Sequence, residues 1–162
     1  MERINIDKAK TVAFSGHRHI NSDVSILRKE LTYTLRELYY SGYTTFITGG
    51  AVGFDLLAAE VVLELQQEFP DIQLFCAVPY AGHHRYFSDE YKERYIHIAD
   101  KATSNIILSP HYYDGCFFRR NDCMIEHCSL LIAYYNQSFR SGTGYTVRRA
   151  EAKNISIINL YK

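Results

Sequence analysis

Short apolar runs alternate along this chain with longer segments in which apolar residues recur every three or four positions. The runs are rich in β-branched and aromatic side chains and predict six buried strands, over 11–15, 44–48, 72–80, 105–109, 129–135 and 155–160. Leu27, Leu31 and Leu35 show the helical spacing that lies between the runs. Strands that alternate with helices are typical of a parallel sheet covered on both faces. The pattern therefore predicts the α/β class, with a mostly parallel sheet.

Polar residues mark where several of the helices begin and end. Candidate N-caps precede the first and third helices, namely Asn21, Ser22, Asp23 and Ser88. One face of the fourth helix is formed by Phe117, Asn121, Met124 and Cys128. Asn121 is the polar member of this face and needs a hydrogen-bond partner, either in the protein or in a bound ligand. A loop over 136–144 precedes a short helix that ends at Ala152.

Length and composition bound the number of domains and the class of partner. The chain has 162 residues, 47% of them hydrophobic, which suffices for one compact core, and we expect a single domain over 1–162. Eighteen basic and eighteen acidic side chains cancel. The charge balance therefore favours neither nucleic acid nor an anionic membrane as a partner. Any anion must be bound by a local site.

Two features of the sequence bear on its compartment. No apolar segment reaches the roughly 18 residues of a membrane span, and the polar stretch at the start is unlike a signal peptide. We therefore expect a cytoplasmic protein with no membrane partner. The four cysteines form no CxxC pair, which argues against both a disulfide framework and a zinc ribbon. The sequence indicates no metal site and no resident cofactor.

The loops that follow the predicted strands are the candidate ligand-binding segments, because ligands of open parallel sheets bind beyond the carboxyl ends of the strands. These loops are 15–18 (SGHR), 49–55 (GGAVGFD), 79–80 (PY) and 141–146 (SGTGYT). Glycine-rich turns that lead into helices present backbone N–H groups to a phosphate. We expect a phosphate-bearing ligand with Arg18 as a direct partner. The alternative is that the glycines serve the backbone alone and that Arg18 is a solvated loop cation.

The glycine-rich segment TGGAVG, residues 48–53, matches neither of the common nucleotide-binding motifs. Thr48 stands where the dinucleotide fingerprint GxGxxG needs its first glycine, and the segment follows the second strand rather than the first. The third strand ends in Pro79 and Tyr80 instead of the acidic residue that binds an NAD ribose. No GxxxxGK[ST] motif occurs. A standard dehydrogenase and a P-loop nucleotidase are both disfavoured.

Several charged positions near these loops have two interpretations each. Asp55, in the first turn of the second helix, either caps that helix or binds a ribose hydroxyl. Glu60 lies on the same stripe as Glu64, which favours a solvated face over a catalytic base. Arg119 and Arg120 begin the fourth helix, and we expect one of them to face the ligand.

Five segments together resemble a known family. They are 14–18 (FSGHR), 47–62 (ITGGAVGFDLLAAEVV), 78–80 (VPY), 119–125 (RRNDCMI) and 141–150 (SGTGYTVRRA). In this order they resemble the YpsA-like family of the SLOG superfamily, which also includes the LOG cytokinin-activating hydrolases and the DprA/Smf proteins. The resemblance covers nearly the whole chain. It implies a Rossmann-like three-layer sandwich and a homo-oligomer.

The resemblance also implies a nucleotide-derived ligand, either a nucleoside phosphate or a molecule related to ADP-ribose or NAD. The strand-end loops and the resemblance together give the predicted ligand-binding residues, which are Ser15, Gly16, Arg18, Gly49, Gly50, Gly53, Asp55, Pro79, Tyr80, Arg120, Asn121, Ser141, Gly142, Thr143 and Gly144.

Catalysis does not follow from the resemblance. The LOG hydrolases have a PGGxGTxxE signature, whereas the segment RSGTGYTVRRAE lacks the proline and has Thr146 where the glutamate falls. We therefore expect a ligand-binding or sensing domain. The alternative is an N-glycosidic hydrolase in which Asp55, Glu60 or Glu151 supplies the missing carboxylate. A DNA-handling module like the DprA proteins is disfavoured by the charge balance.

Overall fold

A computed structural model describes residues 5–138 and 140–162 of the chain; residues 1–4, and Phe139 of the loop predicted over 136–144, lie outside the described residues. The strands are β1 (Thr11–Gly16), β2 (Thr45–Thr48), β3 (Gln73–Val78), β4 (Ser104–Ile107), β5 (Leu130–Tyr134) and β6 (Ser156–Asn159). The helices are α1 (Val24–Tyr40), α2 (Phe54–Glu68), α3 (Asp89–Lys101), α4 (Cys116–Glu126) and α5 (Gly142–Ala152). Short 3₁₀ turns cover Lys8–Lys10 and His83–Tyr86.

The six strands form one sheet in the order β4-β3-β2-β1-β5-β6, and every neighbouring pair is parallel. The predicted α/β class with a mostly parallel sheet is confirmed. The chain runs outward from β1 to β4 and then returns to the other side of β1 for β5. This reversal opens a crevice beyond the ends of β1 and β5, where Gly16 lies beside Tyr134.

The core has two layers, one on each face of the sheet. Alternate residues of β1 point to opposite faces, so that Val12 and Phe14 join one cluster and Ala13 joins the other. The first cluster packs against α1, α2 and α3, and the second against α4 and α5. This arrangement is the Rossmann-like three-layer sandwich that the resemblance implies.

The observed helix ends show which capping predictions are right. Asp23 is the N-cap of α1, since its carboxylate accepts hydrogen bonds from the N–H groups of Ser25 and Ile26. Ser88 is the N-cap of α3, but its side chain forms no capping hydrogen bond. The loop predicted over 136–144 is shorter than expected. Helix α5 already begins at Gly142 because the Ser141 hydroxyl accepts from the Gly144 N–H at 2.9 Å.

The predicted buried face of α4 is only partly right. Asn121 and Met124 are buried, and Cys128 is buried just beyond the end of the helix. Phe117, which was expected on the same face, is 44% exposed. Its ring lies near those of Tyr80 and Tyr112 at the edge of the sheet rather than in the core.

Among the described helices, none is long and apolar enough to cross a membrane.

Candidate ligand-binding site

A cavity of about 570 Å³ lies beyond the carboxyl ends of the central strands, at the point where the strand order reverses. The predicted residues that line this cavity are Ser15, Gly16, Arg18, Asp55, Tyr80, Arg120, Asn121, Ser141, Gly142 and Thr143. Other predicted residues are absent from its wall, namely Gly49, Gly50, Gly53, Pro79 and Gly144. The strand-end loops therefore meet at one site, although not through all of the predicted positions.

Arg120 is the buried cation of this site, with 7% of its surface exposed. Its Nε donates to Asn121 Oδ1 at 2.9 Å, and its Nη1 donates to the Gly49 carbonyl at 2.8 Å. The ion pairs within 4.0 Å among the described residues all involve other side chains, so Arg120 has no carboxylate partner there. Burial lowers the pKa of Arg120, and Asp55 opposes this at longer range. A desolvated positive charge thus lies in the cavity wall.

The N-terminus of α5 is the second feature of the site that favours an anion. Ser141 caps the helix, and Gly142 and Thr143 line the cavity directly after it. Among the described residues, and apart from its chain neighbours and the backbone of α5, no heavy atom would lie within 4 Å of a Cβ added at Gly142, so the backbone is open on that side. The positive end of the helix dipole and the guanidinium of Arg120 thus belong to the same cavity.

Asp55 is a buried carboxyl that connects α2 to the end of β1. Its Oδ1 accepts a hydrogen bond from the Gly16 N–H at 3.2 Å, and the residue is 5% exposed. Burial raises the pKa of Asp55 to about 6, against the opposing effects of Arg120 and of the N–H groups of Gly16 and Ala51. This carboxyl therefore titrates close to neutral pH at the wall of the cavity.

The glycines of the 49–53 loop pack against protein instead of lining the cavity. A Cβ at Gly49 would lie 2.8 Å from Arg120 Cδ, and one at Gly50 would lie 2.7 Å from the Tyr95 ring. Gly53 has a φ of +97°, and its Cβ would lie 2.3 Å from the Arg18 carbonyl oxygen. The loop faces the cavity through Ala51, Val52 and Asp55. Of the two interpretations that the sequence left open, the backbone role accounts for these three glycines.

Residues 11–160 match the family model YpsA, described as the YspA SLOG family. The chain belongs to this YpsA family. Its curated relatives include the UPF0398 protein SERP1017 of Staphylococcus epidermidis, 27% identical over 84% of this chain and 78% of the relative. A UPF0398 protein of Bacillus thuringiensis is 28% identical over 89% of this chain and 84% of the relative.

Two solved structures share the fold of this YpsA-family chain. DNA processing protein A (DprA) from Streptococcus pneumoniae superposes with a TM-score of 0.64 at 18% identity, over 93% of this chain. The chain spans half the length of that DprA chain. TM1055 superposes with a TM-score of 0.59 at 18% identity, over 91% of this chain and 72% of its own. At this identity the two likenesses show the Rossmann-like architecture alone.

Glu60, the second catalytic candidate, lies outside the wall of the cavity in this YpsA-family fold. Its carboxylate forms a half-buried ion pair with Arg94, in which Nε of Arg94 donates to Oε2 at 3.2 Å. The neighbouring Glu64 pairs with Arg28 on the surface. Of the three candidate carboxylates, Asp55, Glu60 and Glu151, Asp55 is the one that lines the cavity. Among the described residues, no group of three or more His, Cys, Asp or Glu side chains could hold a metal ion.

Sequence reasoning missed several residues of the cavity wall, which are His17, Ala51, Val52, His83, Tyr86, Phe87 and Phe117. His17 lies inside a predicted loop, and its Nε2 accepts a hydrogen bond from the Asn136 N–H at 2.9 Å. His83 is buried, and neither ring nitrogen has a hydrogen-bond partner among the described residues. Burial lowers the pKa of His83 to about 3, so the ring is neutral at physiological pH. The one feature of the sequence that could have predicted His83 as a site residue is its position shortly after β3.

The raised pKa of Asp55 predicts a pH dependence of stability. The ordinary value of 3.8 rises to about 6 in the folded protein, so the neutral carboxyl is favoured there. The resulting stabilisation is fully present below about pH 4 and is lost as the pH rises through about 6, by about 3 kcal/mol in all. Asp55→Asn should remove this dependence. Urea unfolding of both proteins at pH 4 to 8 measures it, with Asp100→Asn, at an exposed carboxyl, as control. Parallel curves for wild type and Asp55→Asn would contradict the assignment.

Proposed function

We propose that this chain is a cytoplasmic ligand-binding or sensing domain for a nucleotide-derived small molecule. The ligand is a nucleoside phosphate or a molecule related to ADP-ribose or NAD, and its phosphate contacts Arg120 and the N-terminus of α5. The observation that carries the proposal is the buried Arg120 guanidinium in the cavity wall, with no carboxylate within 4.0 Å among the described side chains.

The energetic argument starts from the cost of burying a charge. An isolated buried cation is expensive unless an anion or several hydrogen-bond acceptors compensate it. Arg120 has two neutral acceptors, Asn121 Oδ1 and the Gly49 carbonyl, and a more distant Asp55. A ligand phosphate would supply the missing negative charge, and the first turn of α5 would add N–H donors.

The rest of the cavity suits the organic part of a nucleotide. Its volume of about 570 Å³ lies in the usual range of small-molecule sites. Tyr80 and Phe87 offer aromatic surfaces for a base, and Asp55 offers a carboxyl for a ribose hydroxyl. The four cysteines are unpaired and buried, which supports a reducing compartment.

The LOG hydrolases have a glutamate where this chain has Thr146, and this difference favours binding without turnover over N-glycosidic hydrolysis. Thr146 is fully buried, and its hydroxyl donates to the Gly142 carbonyl within α5 at 3.0 Å. It supplies no carboxylate to the cavity. A hydrolase would therefore have to use Asp55, whose pKa of about 6 suits a general acid or base.

The proposal is tested by identifying what the protein binds and whether it is changed. Protein purified under native conditions is denatured, and released nucleotides are identified by mass spectrometry. Fresh protein is then titrated by calorimetry with AMP, ADP-ribose and NAD, and the mixtures are analysed for free base. Saturable binding without product is the expected result. No binding of any nucleotide would contradict the proposal. Release of base that Asp55→Ala abolishes would favour the hydrolase, and retardation of single-stranded DNA at physiological salt would favour the DNA-handling alternative.

A further inference from the structure

A second cavity, of about 440 Å³, adjoins the ligand-binding cavity on the side of β4. The two cavities share three wall residues, Tyr80, Tyr86 and Phe117. The remaining walls of the second cavity include Tyr112, His111 and Arg85. It is therefore a neighbouring compartment of the same crevice, and nothing in the proposed function uses it.

Three of the aromatic rings that line the second cavity, those of Tyr80, Tyr112 and Phe117, lie close to one another. Tyr80 is the buried member, and it meets Tyr112 edge to face, with 5.6 Å between ring centroids and 85° between planes. The Phe117 ring lies 6.3 Å from Tyr80 and 6.4 Å from Tyr112. Tyr112 and Phe117 are nevertheless 58% and 44% exposed. These rings hold one another in position while leaving aromatic surface open to a further ring.

The guanidinium of Arg85, in the wall of the second cavity, already makes two hydrogen bonds to its own turn. Arg85 donates through Nε to the Gly82 carbonyl at 3.0 Å and through Nη2 to the Ala81 carbonyl at 3.2 Å. The opposite wall is tied to this turn, because the Ala81 N–H donates to the Ser109 carbonyl at 3.0 Å. These hydrogen bonds hold the turn and Arg85 in place, and four Tyr and Phe side chains line the compartment. It suits a ring of a ligand better than a phosphate.

Phe117 connects this compartment to the cation of the first. The guanidinium carbon of Arg120 lies 5.5 Å from the centroid of the Phe117 ring. An anion bound at Arg120 would therefore be separated from Tyr112 by about the width of the Phe117 ring. We propose that the second cavity binds the second aromatic ring of a dinucleotide, two nucleosides joined through a pyrophosphate, whose phosphates lie at Arg120. This inference rests on the proposed function and narrows its ligand class.

The test compares ligands that differ by one ring. ADP-ribose has one aromatic base, whereas the two-ring ligands, NAD and diadenosine diphosphate, have two such bases. Stacking on an aromatic side chain changes affinity by roughly tenfold. In calorimetry, the two-ring ligands should bind wild-type protein roughly tenfold more tightly than ADP-ribose. Tyr112→Ala should abolish this difference and leave ADP-ribose affinity unchanged. Tyr113→Ala is the matched control, because Tyr113 is an exposed neighbour outside the walls of both cavities.

A spectroscopic test locates the second ring directly. The chain contains no tryptophan, so Tyr112→Trp introduces a single indole reporter into the second cavity. NAD or diadenosine diphosphate should quench its emission by stacking, whereas saturating ADP-ribose should leave the emission unchanged.

The outcomes separate this inference from the proposed function. If AMP, ADP-ribose and both two-ring ligands fail to bind wild-type protein, the proposed function fails, and this inference with it. If ADP-ribose binds and the two-ring ligands gain nothing, or if Tyr112→Ala weakens every ligand equally, the second-ring site is overturned while the first site stands. A change in oligomeric state for Tyr112→Ala without a change in the affinity ratio would also overturn it, and would assign the exposed rings to contact between copies.

Discussion

Arg120→Gln is expected to weaken the binding of ADP-ribose by roughly hundredfold, because it removes a buried charge that faces the ligand phosphate. The shorter glutamine side chain retains an amide near the position of Arg120 Nε, which donates to Asn121 Oδ1 at 2.9 Å. It cannot neutralise a phosphate. Isothermal titration calorimetry on the purified variant measures the loss.

The same substitution distinguishes an anion-binding role for Arg120 from a purely structural one. A buried cation with no carboxylate within 4.0 Å among the described side chains costs free energy in the unliganded protein. Arg120→Gln should therefore keep the thermal midpoint of the unliganded protein close to that of wild type, while the increase in midpoint on adding ADP-ribose disappears. A structural role would instead lower the unliganded midpoint and preserve the increase.

Two controls accompany this experiment. Arg36→Gln removes an equal charge at an exposed ion pair between α1 and α2 and should leave affinity unchanged. Arg18→Ala removes the exposed arginine at the cavity wall, and its effect should be smaller than that of Arg120→Gln, because solvent screens its charge. A folded Arg120→Gln protein that binds ADP-ribose as tightly as wild type would contradict the proposed phosphate site.

Most of the site could be predicted from sequence because ligands of open parallel sheets bind beyond the carboxyl ends of the strands. Ser15 lies at the end of β1, Tyr80 and Ser141 follow two other strands, and a parallel sheet brings the carboxyl ends of all its strands to one edge. Arg120 could be predicted only as one of two arginines. Which of the two arginines faces the cavity depends on how α4 is rotated about its axis. The apolar pattern of a helix reports this rotation, but a polar residue on the buried face interrupts the pattern.

The predicted positions that differ from the cavity wall, and the wall residues that were not predicted, depend on contacts between distant segments. Gly50 and Gly53 are glycines because Tyr95 and the Arg18 carbonyl pass close to them, and no local pattern reveals those neighbours. Phe117 has the spacing of a core residue, but at the first turn of α4 it meets Tyr112 and Tyr80 at the mouth of a cavity. Periodicity indicates which residues avoid bulk water. It does not tell a packed core from an aromatic cavity wall.

Gly53→Ala is expected to destabilise the protein on the order of 3 kcal/mol, because two independent constraints at this position exclude a side chain. The residue has φ +97° and ψ −124°, a conformation that L-residues with a Cβ rarely adopt. The new Cβ would also lie 2.3 Å from the Arg18 carbonyl oxygen and 2.6 Å from that of His17. The His17 carbonyl accepts a hydrogen bond from the Phe54 N–H at 3.2 Å, so the substitution forces apart the contact that joins β1 to α2.

Gly142→Ala is the matched control for Gly53→Ala, since both glycines lie at the start of a helix beside the same cavity. Apart from its chain neighbours and the backbone of α5, no heavy atom of the described residues would lie within 4 Å of a Cβ at Gly142, and its backbone has no positive φ. Alanine is the better helix former, so stability should be unchanged or should rise by less than about 1 kcal/mol. Thermal unfolding should therefore separate the two variants by roughly 10 °C. Equal midpoints would mean that the 49–53 loop can move away from the end of β1. Packing would then not explain the glycines of this loop, and direct contact with the ligand would be the first alternative to test.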